Sequence, residues 1–331
     1  MNVLITGVAG LIGANLADWI TANQKDVKVV GVDDLSGGYL DNINREVVFH
    51  KLNLVSDNIE YIFEHFKFDI VFHFAAYAAE GLSPFMRVFN YKNNLIATTK
   101  LITLSIKYGI KRFVFTSSMA TYGRGNAPFD ERDPLEPIDP YGIAKLACEL
   151  DLKVANEQHG LDYCILKPHN VYGPKQNIWD KYRNVLGIWM NRFLNGNPLE
   201  IYGEGEQKRA FSFIGDCVEP IWKAGTIPEA SQETINLGGT KAVTINEAAD
   251  TLIDVMGGGK KSYLESRHEV VNAWSTWNKS VKILGYKDTT ALKRGLELMW
   301  EWAIKQPKRP QQIWESYELD IGIYSYWKDR K

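Results

Sequence analysis

The chain has 331 residues, 45% of them hydrophobic and 24% charged, which provides a sizeable core and excludes a disordered or fibrous polymer. Its formal net charge of −2 lacks the basic excess that nucleic acid or an anionic membrane surface calls for, and no run reaches the roughly 18 apolar residues of a membrane span. Cys148, Cys164 and Cys217 lack disulfide-framework or zinc-ligand spacing, and no basic, apolar leader precedes the first strand, so the expectation is a metal-free protein of the reducing cytoplasm.

In chain order, short β-branched or aromatic runs alternate with helical patterns. Strands are predicted over 3–6, 27–33, 47–53, 70–74, 113–117 and 163–166, with helices over 11–22, about 83–108 and 140–159. The strands are almost continuously apolar, as in Val-Leu-Ile-Thr and Phe-Val-Phe-Thr, which suits a parallel sheet covered by helices on both faces. This predicts a doubly wound α/β domain over 1–173. Beyond Gly173 the alternation breaks into a Trp- and Tyr-rich sequence, read as a smaller α/β substrate lobe over 174–331, with part of 209–240 returning to the first sheet. Within it, 201–205 and 209–213 read as strands and 244–256 as a helix stopped by the turn Gly257-Gly258-Gly259. Six of the ten tryptophans follow residue 270, a pattern that packing of the last helices or an oligomer contact explains.

Gly7, Gly10 and Gly13 lie between the first strand and the first helix, where a phosphate needs close backbone approach and a helix N-terminus offers free N–H groups. About 20 residues on, Asp33 ends the second strand, the place of an acid that binds ribose hydroxyls, with Asp34 beside it. The combination predicts dinucleotide binding. A carboxylate there repels the 2′-phosphate of NADP and no arginine follows closely, so NAD is the expected cofactor.

Tyr141 and Lys145 are four residues apart at the start of a helix, so phenol and ammonium share one face. The same spacing recurs at Tyr163/Lys167 and Tyr324/Lys328, so position must decide: the former pair lies on a strand, where four residues separate the groups by about 13 Å, and the latter in an aromatic tail.

Taken in order, Gly7-x-x-Gly10-x-x-Gly13, Asp33, His73-Phe74-Ala75-Ala76, Asn93-Asn94, Thr116-Ser117-Ser118, Tyr141-x-x-x-Lys145 and Asn170-Val171-Tyr172-Gly173-Pro174 resemble the extended short-chain dehydrogenase/reductases, in particular their nucleotide-sugar epimerase/dehydratase branch and most closely the UDP-hexose 4-epimerases. The similarity runs to about residue 300. It implies a Rossmann domain in which Tyr141 is the general acid/base, Lys145 binds the nicotinamide ribose and Ser118 bonds the reacting hydroxyl. It also places Leu11, Ile12, Asn53, Leu54, Phe74, Ala75, Ala76, Asn94 and Pro168 against NAD, and Met119, Asn170, Arg209 and Arg267 against a nucleotide sugar. Homodimerisation through the 83–108 and 140–159 helices is a further implication.

The branch's 4,6-dehydratases carry an Asp-Glu pair directly after the serine or threonine. Met119-Ala120 stands there instead and can move no proton, which leaves C4 inversion of a UDP-hexose or UDP-N-acetylhexosamine through a 4-keto sugar as the expected reaction. A nucleotide-sugar oxidoreductase with net hydride transfer and a non-catalytic NAD-binding regulator are the alternatives. Departures from the family pattern are Ala210, Asn53 and His169. His73 and His169 read as packed, hydrogen-bonded imidazoles, the family's substrate-size gate falls at about Ala273, and the extension 307–331 matches no family element.

Overall fold

A computed structural model of the chain describes residues 1–328. Seven strands form the main sheet: β1 (Asn2–Thr6), β2 (Lys28–Asp33), β3 (Val48–Lys51), β4 (Ile70–His73), β5 (Arg112–Thr116), β6 (Tyr163–Pro168) and, outside β6, Glu233–Leu237. Every pairing is parallel, and β1 lies between β2 and β4, so the strand order reverses beside β1 and opens a crevice at the carboxyl ends.

Why these runs form a two-sided sheet is visible in their alternation. Val3 and Ile5 of β1, Phe72 of β4 and Val114 of β5 join one core with Leu16 and Ile20 of the helix Leu11–Asn23 and Ile221 and Trp222 of the helix Ile214–Thr226. Leu4, Val71, Phe113 and Phe115 point the other way, onto Leu101 of the helix Ala97–Lys107 and Leu152 of the helix Pro140–His159. Residues of period two thus feed two cores, and each fully buried large side chain contributes about 1.5–3 kcal/mol.

Three local departures from the sequence reading matter. The helix expected over 83–108 is broken into a 3-10 turn Glu80–Phe85, a helix Arg87–Tyr91, a π turn Lys92–Ile96 and the helix Ala97–Lys107. Pro84 removes a backbone donor in the first of these, and π turns concentrate near functional sites. The strand expected over 209–213 divides at Phe211: Lys208–Ala210 pairs antiparallel with Ala242–Thr244, and Ser212–Phe213 pairs with Val171–Tyr172. From there the helix Ile214–Thr226 and the strand Glu233–Leu237 return to the main sheet. The helices Glu60–Phe66 and Ile214–Thr226 had no assignment from periodicity.

The lobe has its own core, with Trp189, Leu252 and Met299 at its centre. Its helix Ile245–Met256 starts in a capping box of Thr244 and Glu247 and stops at Gly257, whose φ of 76° is left-handed. The chain then doubles back across both lobes. Arg309 pairs with Asp41 and lies 3.9 Å over the Tyr39 ring, Trp314 Nε1 donates to the Tyr77 hydroxyl at 3.0 Å, and Glu318 accepts from the amides of Val88 and Phe89. Trp327 is buried among Phe85, Tyr182 and Tyr324. The late tryptophans Trp314 and Trp327 therefore pack a tail onto the Rossmann domain as well as onto the lobe. Among the described residues, no helix is long and apolar enough to cross a membrane, no His, Cys, Asp and Glu cluster could hold a metal ion, and all three cysteines are free and buried.

Candidate active site

The chain leaves β1 through Gly7 at φ +71°, where a side chain is strained in any case and a Cβ would lie 2.7 Å from the Ala75 amide nitrogen. Gly13 is pressed equally hard: a Cβ there would meet the Gly7 carbonyl oxygen at 2.3 Å. Packing this close puts the helix Leu11–Asn23 directly on the loop, and Gly10 begins it without a side-chain cap, so its first N–H groups remain available to an anion.

Across the same crevice, Asp33 accepts hydrogen bonds from the amides of Ala9 at 3.0 Å and Leu35 at 2.8 Å. Burial raises its pKa, while those two amides oppose the shift. Asp34 accepts from Asn53 Nδ2 at 2.7 Å, so Asn53 shapes this wall through Asp34. Asp33, Asp34, Asn53, Leu54, Phe74, Ala75 and Ala76 line one end of the crevice. It continues past Gly7 and Gly10 into a larger cavity of about 2180 Å³, mouth included, lined by Leu11, Ile12, Gly13, Ser118, Tyr141, Lys145, Pro168, Asn170, Arg209 and Arg267. Its lining runs without a break from the glycine loop through Tyr141 to Arg209 and Arg267 on the lobe. The side-chain-free loop, the anchored Asp33 and this continuous lining fit a bound dinucleotide.

Asp139 caps the helix Pro140–His159 by accepting from the Gly142 amide at 2.9 Å, and Pro140 takes the first helical position, where its missing N–H costs nothing. Tyr141 therefore falls on the first turn and Lys145 on the next, as their spacing predicted. Both are buried, as is Ser118. Lys145 Nζ donates to the Thr116 carbonyl at 2.7 Å and lies 5.8 Å from the centre of the Tyr141 ring. Burial pushes its pKa down to about 8, against the pull of Cys148 and Glu149. The Tyr141 phenol is pushed up, by burial first and then by the negative charge of Glu80, while a hydrogen bond with Ser118 works the other way. Protein groups alone thus favour the protonated phenol, while Lys145 keeps its charge at neutral pH less firmly than a free lysine.

On the lobe side, Arg209 donates to the carbonyls of Val270 at 2.6 Å and Val271 at 2.7 Å, and Arg267 stacks 4.0 Å over the Tyr202 ring. Glu269 pairs with both, at 3.3 and 3.5 Å. Asn170 sits at φ +42° and donates to the Ala210 carbonyl. His73 is clamped between Thr6 at 2.7 Å and Thr98 at 2.8 Å, and burial takes its pKa down to about 3. His169 meets Ser275 at 3.1 Å and is pushed down to about 4 by burial. Both imidazoles are structural, as expected.

Three expected positions fall behind the cavity wall. Met119 packs with Tyr122, Phe129 and Ala273, so neither it nor the expected gate at Ala273 lines the space. Asn94 is buried, accepting from the Tyr77 amide at 2.9 Å and donating to Asn90 at 2.7 Å, and so ties Tyr77 to the helix Arg87–Tyr91. Residues the sequence reading passed over do line it: Glu80, Arg183, Tyr202 and Tyr324. Glu80 left a trace, a lone carboxylate in the run Ala-Ala-Tyr-Ala-Ala-Glu-Gly directly after a strand. Tyr324, set aside as part of a tail, is carried to the cavity by the returning chain, where its hydroxyl accepts from the His268 amide at 3.0 Å. Lys167, of the second Tyr-x-x-x-Lys set, is buried against Glu149 at 3.2 Å.

The fold has counterparts among solved structures. A UDP-glucose 4-epimerase of Thermotoga maritima, solved with UDP-glucose, is 32% identical with a TM-score of 0.87, covering 92% of this chain and 99% of its own. A UDP-N-acetylglucosamine 4-epimerase of Methanobrevibacter ruminantium, in complex with UDP-N-acetylmuramic acid, is 30% identical with a TM-score of 0.84 over the same shares. A UDP-glucuronic acid 4-epimerase of Bacillus cereus, in complex with UDP-glucuronic acid and NAD, is 26% identical with a TM-score of 0.84, again over 92% and 99%. Residues 3–238, which hold the glycine loop, Asp33, Ser118, Tyr141 and Lys145, match the profile of one family. This chain belongs to the NAD dependent epimerase/dehydratase family.

Proposed function

We propose that the chain inverts C4 of a nucleotide-linked hexose, a UDP-hexose or UDP-N-acetylhexosamine, through a transient 4-keto sugar. The observation that carries this reading is the buried set Ser118, Tyr141 and Lys145 at the far end of the glycine-loop crevice, followed by Met119 and Ala120, which cannot transfer a proton. Elimination across C5 and C6 lacks its acid and base, whereas inversion at one carbon needs only a hydride and one proton. The similarity to UDP-sugar 4-epimerases over more than nine-tenths of the chain supports the same reading.

NAD, when bound in the glycine-loop crevice, would supply the acceptor and donor for a hydride at C4 and a positive charge near the phenol. Tyr141, joined to Ser118, takes the C4 hydroxyl proton and gives it back. Ser118 orients that hydroxyl, and Lys145, fixed by the Thr116 carbonyl, holds the nicotinamide ribose and adds positive charge beside the phenol. Asn170, Arg209 and Arg267 hold the diphosphate while the sugar turns, the two arginines exchanging Glu269 for phosphate. The active form is a cytoplasmic homodimer; the exposed apolar residues Val88, Ile96, Ile143, Leu150 and Val154 on the 87–107 and 140–159 segments support that assembly.

The test is incubation with UDP-glucose, UDP-galactose and their N-acetyl counterparts, with C4 stereochemistry followed by NMR and no nicotinamide cofactor added. Interconversion without net NADH formation is expected, lost by at least 100-fold in Tyr141→Phe while fold and bound NAD persist. A reaction that proceeds only when NADH is added and consumes it stoichiometrically, or unchanged turnover by Tyr141→Phe, would overturn the reading.

A further inference from the structure

One charged group in the cavity has no part in the proposed reaction. Glu80 opens the 3-10 turn Glu80–Phe85 and lines the cavity together with Tyr141, Arg209 and Arg267. Its side chain is accessible to that space, and among the described residues its carboxylate has no ion-pair or hydrogen-bond partner. The two arginines nearest to it both pair with Glu269 instead.

The turn spans the length that a sugar must occupy. At one end, Ser83 Oγ accepts from the Tyr141 amide at 3.2 Å. At the other, a Cβ placed on Gly81 would stand 3.6 Å from Arg267 Nη1. With the diphosphate at Arg209 and Arg267 and C4 at Tyr141, the hexose lies along this turn, and Glu80 is the ionisable side chain that the turn presents to it. The turn is also braced from behind: the amides of Glu318 and Leu319 donate to the Phe85 carbonyl at 3.0 and 3.2 Å, and Trp327 packs edge-on against Phe85. That bracing leaves the backbone little room to carry the carboxylate away.

Resting on the proposed function, we infer that Glu80 selects the substrate by charge, admitting neutral hexoses and N-acetylhexosamines and excluding nucleotide hexuronates. A C6 carboxylate turning beside a second, unpaired carboxylate meets like-charge repulsion in a cavity of reduced dielectric. At a separation of several ångströms this amounts to roughly a 10- to 100-fold loss in kcat/KM. Neutral hydroxyls meet only a hydrogen-bond acceptor. The crowding walls and Asp139 push the Glu80 pKa up to about 7, so the charge is weakened at neutral pH and fully developed above it. Asp139, Arg209, Arg267, Glu269 and Tyr141 are the charged and titratable groups around it.

The test compares kcat/KM for UDP-glucose and UDP-glucuronate at pH 8.5 in the full-length protein, wild type and Glu80→Gln, with Glu80→Met as a second variant. Wild type is expected to favour the neutral sugar by at least 10-fold, and both variants to raise the uronate-to-hexose ratio by at least 10-fold. Wild type that turns over both substrates equally would overturn the inference and leave C4 epimerisation standing, as would a ratio unmoved in whichever variant folds. If wild type epimerises neither sugar, the proposed function fails with it.

Discussion

Gly13 and Gly10 offer a paired perturbation whose outcomes differ for a structural reason. A methyl group on Gly13 would lie 2.3 Å from the Gly7 carbonyl oxygen and 2.8 Å from both the Gly7 carbonyl carbon and Val8 Cα. All three are backbone atoms of the loop itself, so ordinary contact requires the start of the helix Leu11–Asn23 to retreat by about 1 Å. Overpacking of this kind costs about 1–3 kcal/mol. The same retreat withdraws the helix amides from a bound diphosphate, and losing one hydrogen bond to a charged group costs about 1.5–3 kcal/mol, roughly a 10- to 150-fold weaker Kd for NAD. Gly10 differs: a Cβ there meets only the Gly7 oxygen, at 3.4 Å, but the residue lines the crevice. Gly10→Ala should therefore change stability by no more than about 1 kcal/mol, the cost of a poorer N-cap, while its methyl obstructs the diphosphate. The assay is urea unfolding of NAD-stripped protein alongside calorimetric titration with NAD. Expected are loss of both stability and affinity in Gly13→Ala, and loss of affinity alone in Gly10→Ala. Wild-type affinity in Gly10→Ala, or wild-type stability in Gly13→Ala, would refute the reasoning.

Lys167→Met should destabilise the fold by about 3–5 kcal/mol, because Glu149 stays buried without its cation; the double variant with Glu149→Leu should recover most of the loss, as measured by chemical denaturation. His73, neutral in the fold with its pKa near 3 against 6.5 unfolded, contributes stability that is present above pH 6.5 and lost as pH falls toward 3. The loss runs at up to about 1.4 kcal/mol per pH unit, and His73→Gln should flatten the slope of unfolding free energy against pH across that window. Trp327→Ala removes the buried anchor of the tail, a change costing about 3–5 kcal/mol where it cannot relax, and should release the tail ahead of global unfolding. Faster tryptic cleavage after Lys308 is the expected sign, and unchanged protection would show that the tail is held elsewhere.

The sequence by itself determined the Rossmann domain and the centre of the candidate site. Apolar alternation announces strands whose two faces are both buried, and Gly7, Gly13, Tyr141 and Lys145 act through local geometry, a tight turn and one helix face, which short sequence windows encode. The tertiary structure alone decided what meets these residues from afar. Pro84 and the π turn break a helix that periodicity ran on as one, in a segment where Asn94 bonds Asn90 and the tail packs on Phe85 and Phe89. Asn94 and Met119 belong to local patterns that resemble the family's yet lie behind the cavity wall, a placement that depends on the packed neighbours Tyr77, Tyr122 and Phe129. Glu80 and Tyr324, 244 positions apart in the chain, line the same cavity because the last segment folds back over both lobes. No local pattern specifies such a return: its contacts are side-chain packing and single hydrogen bonds between distant segments, and these exist only once both lobes have formed.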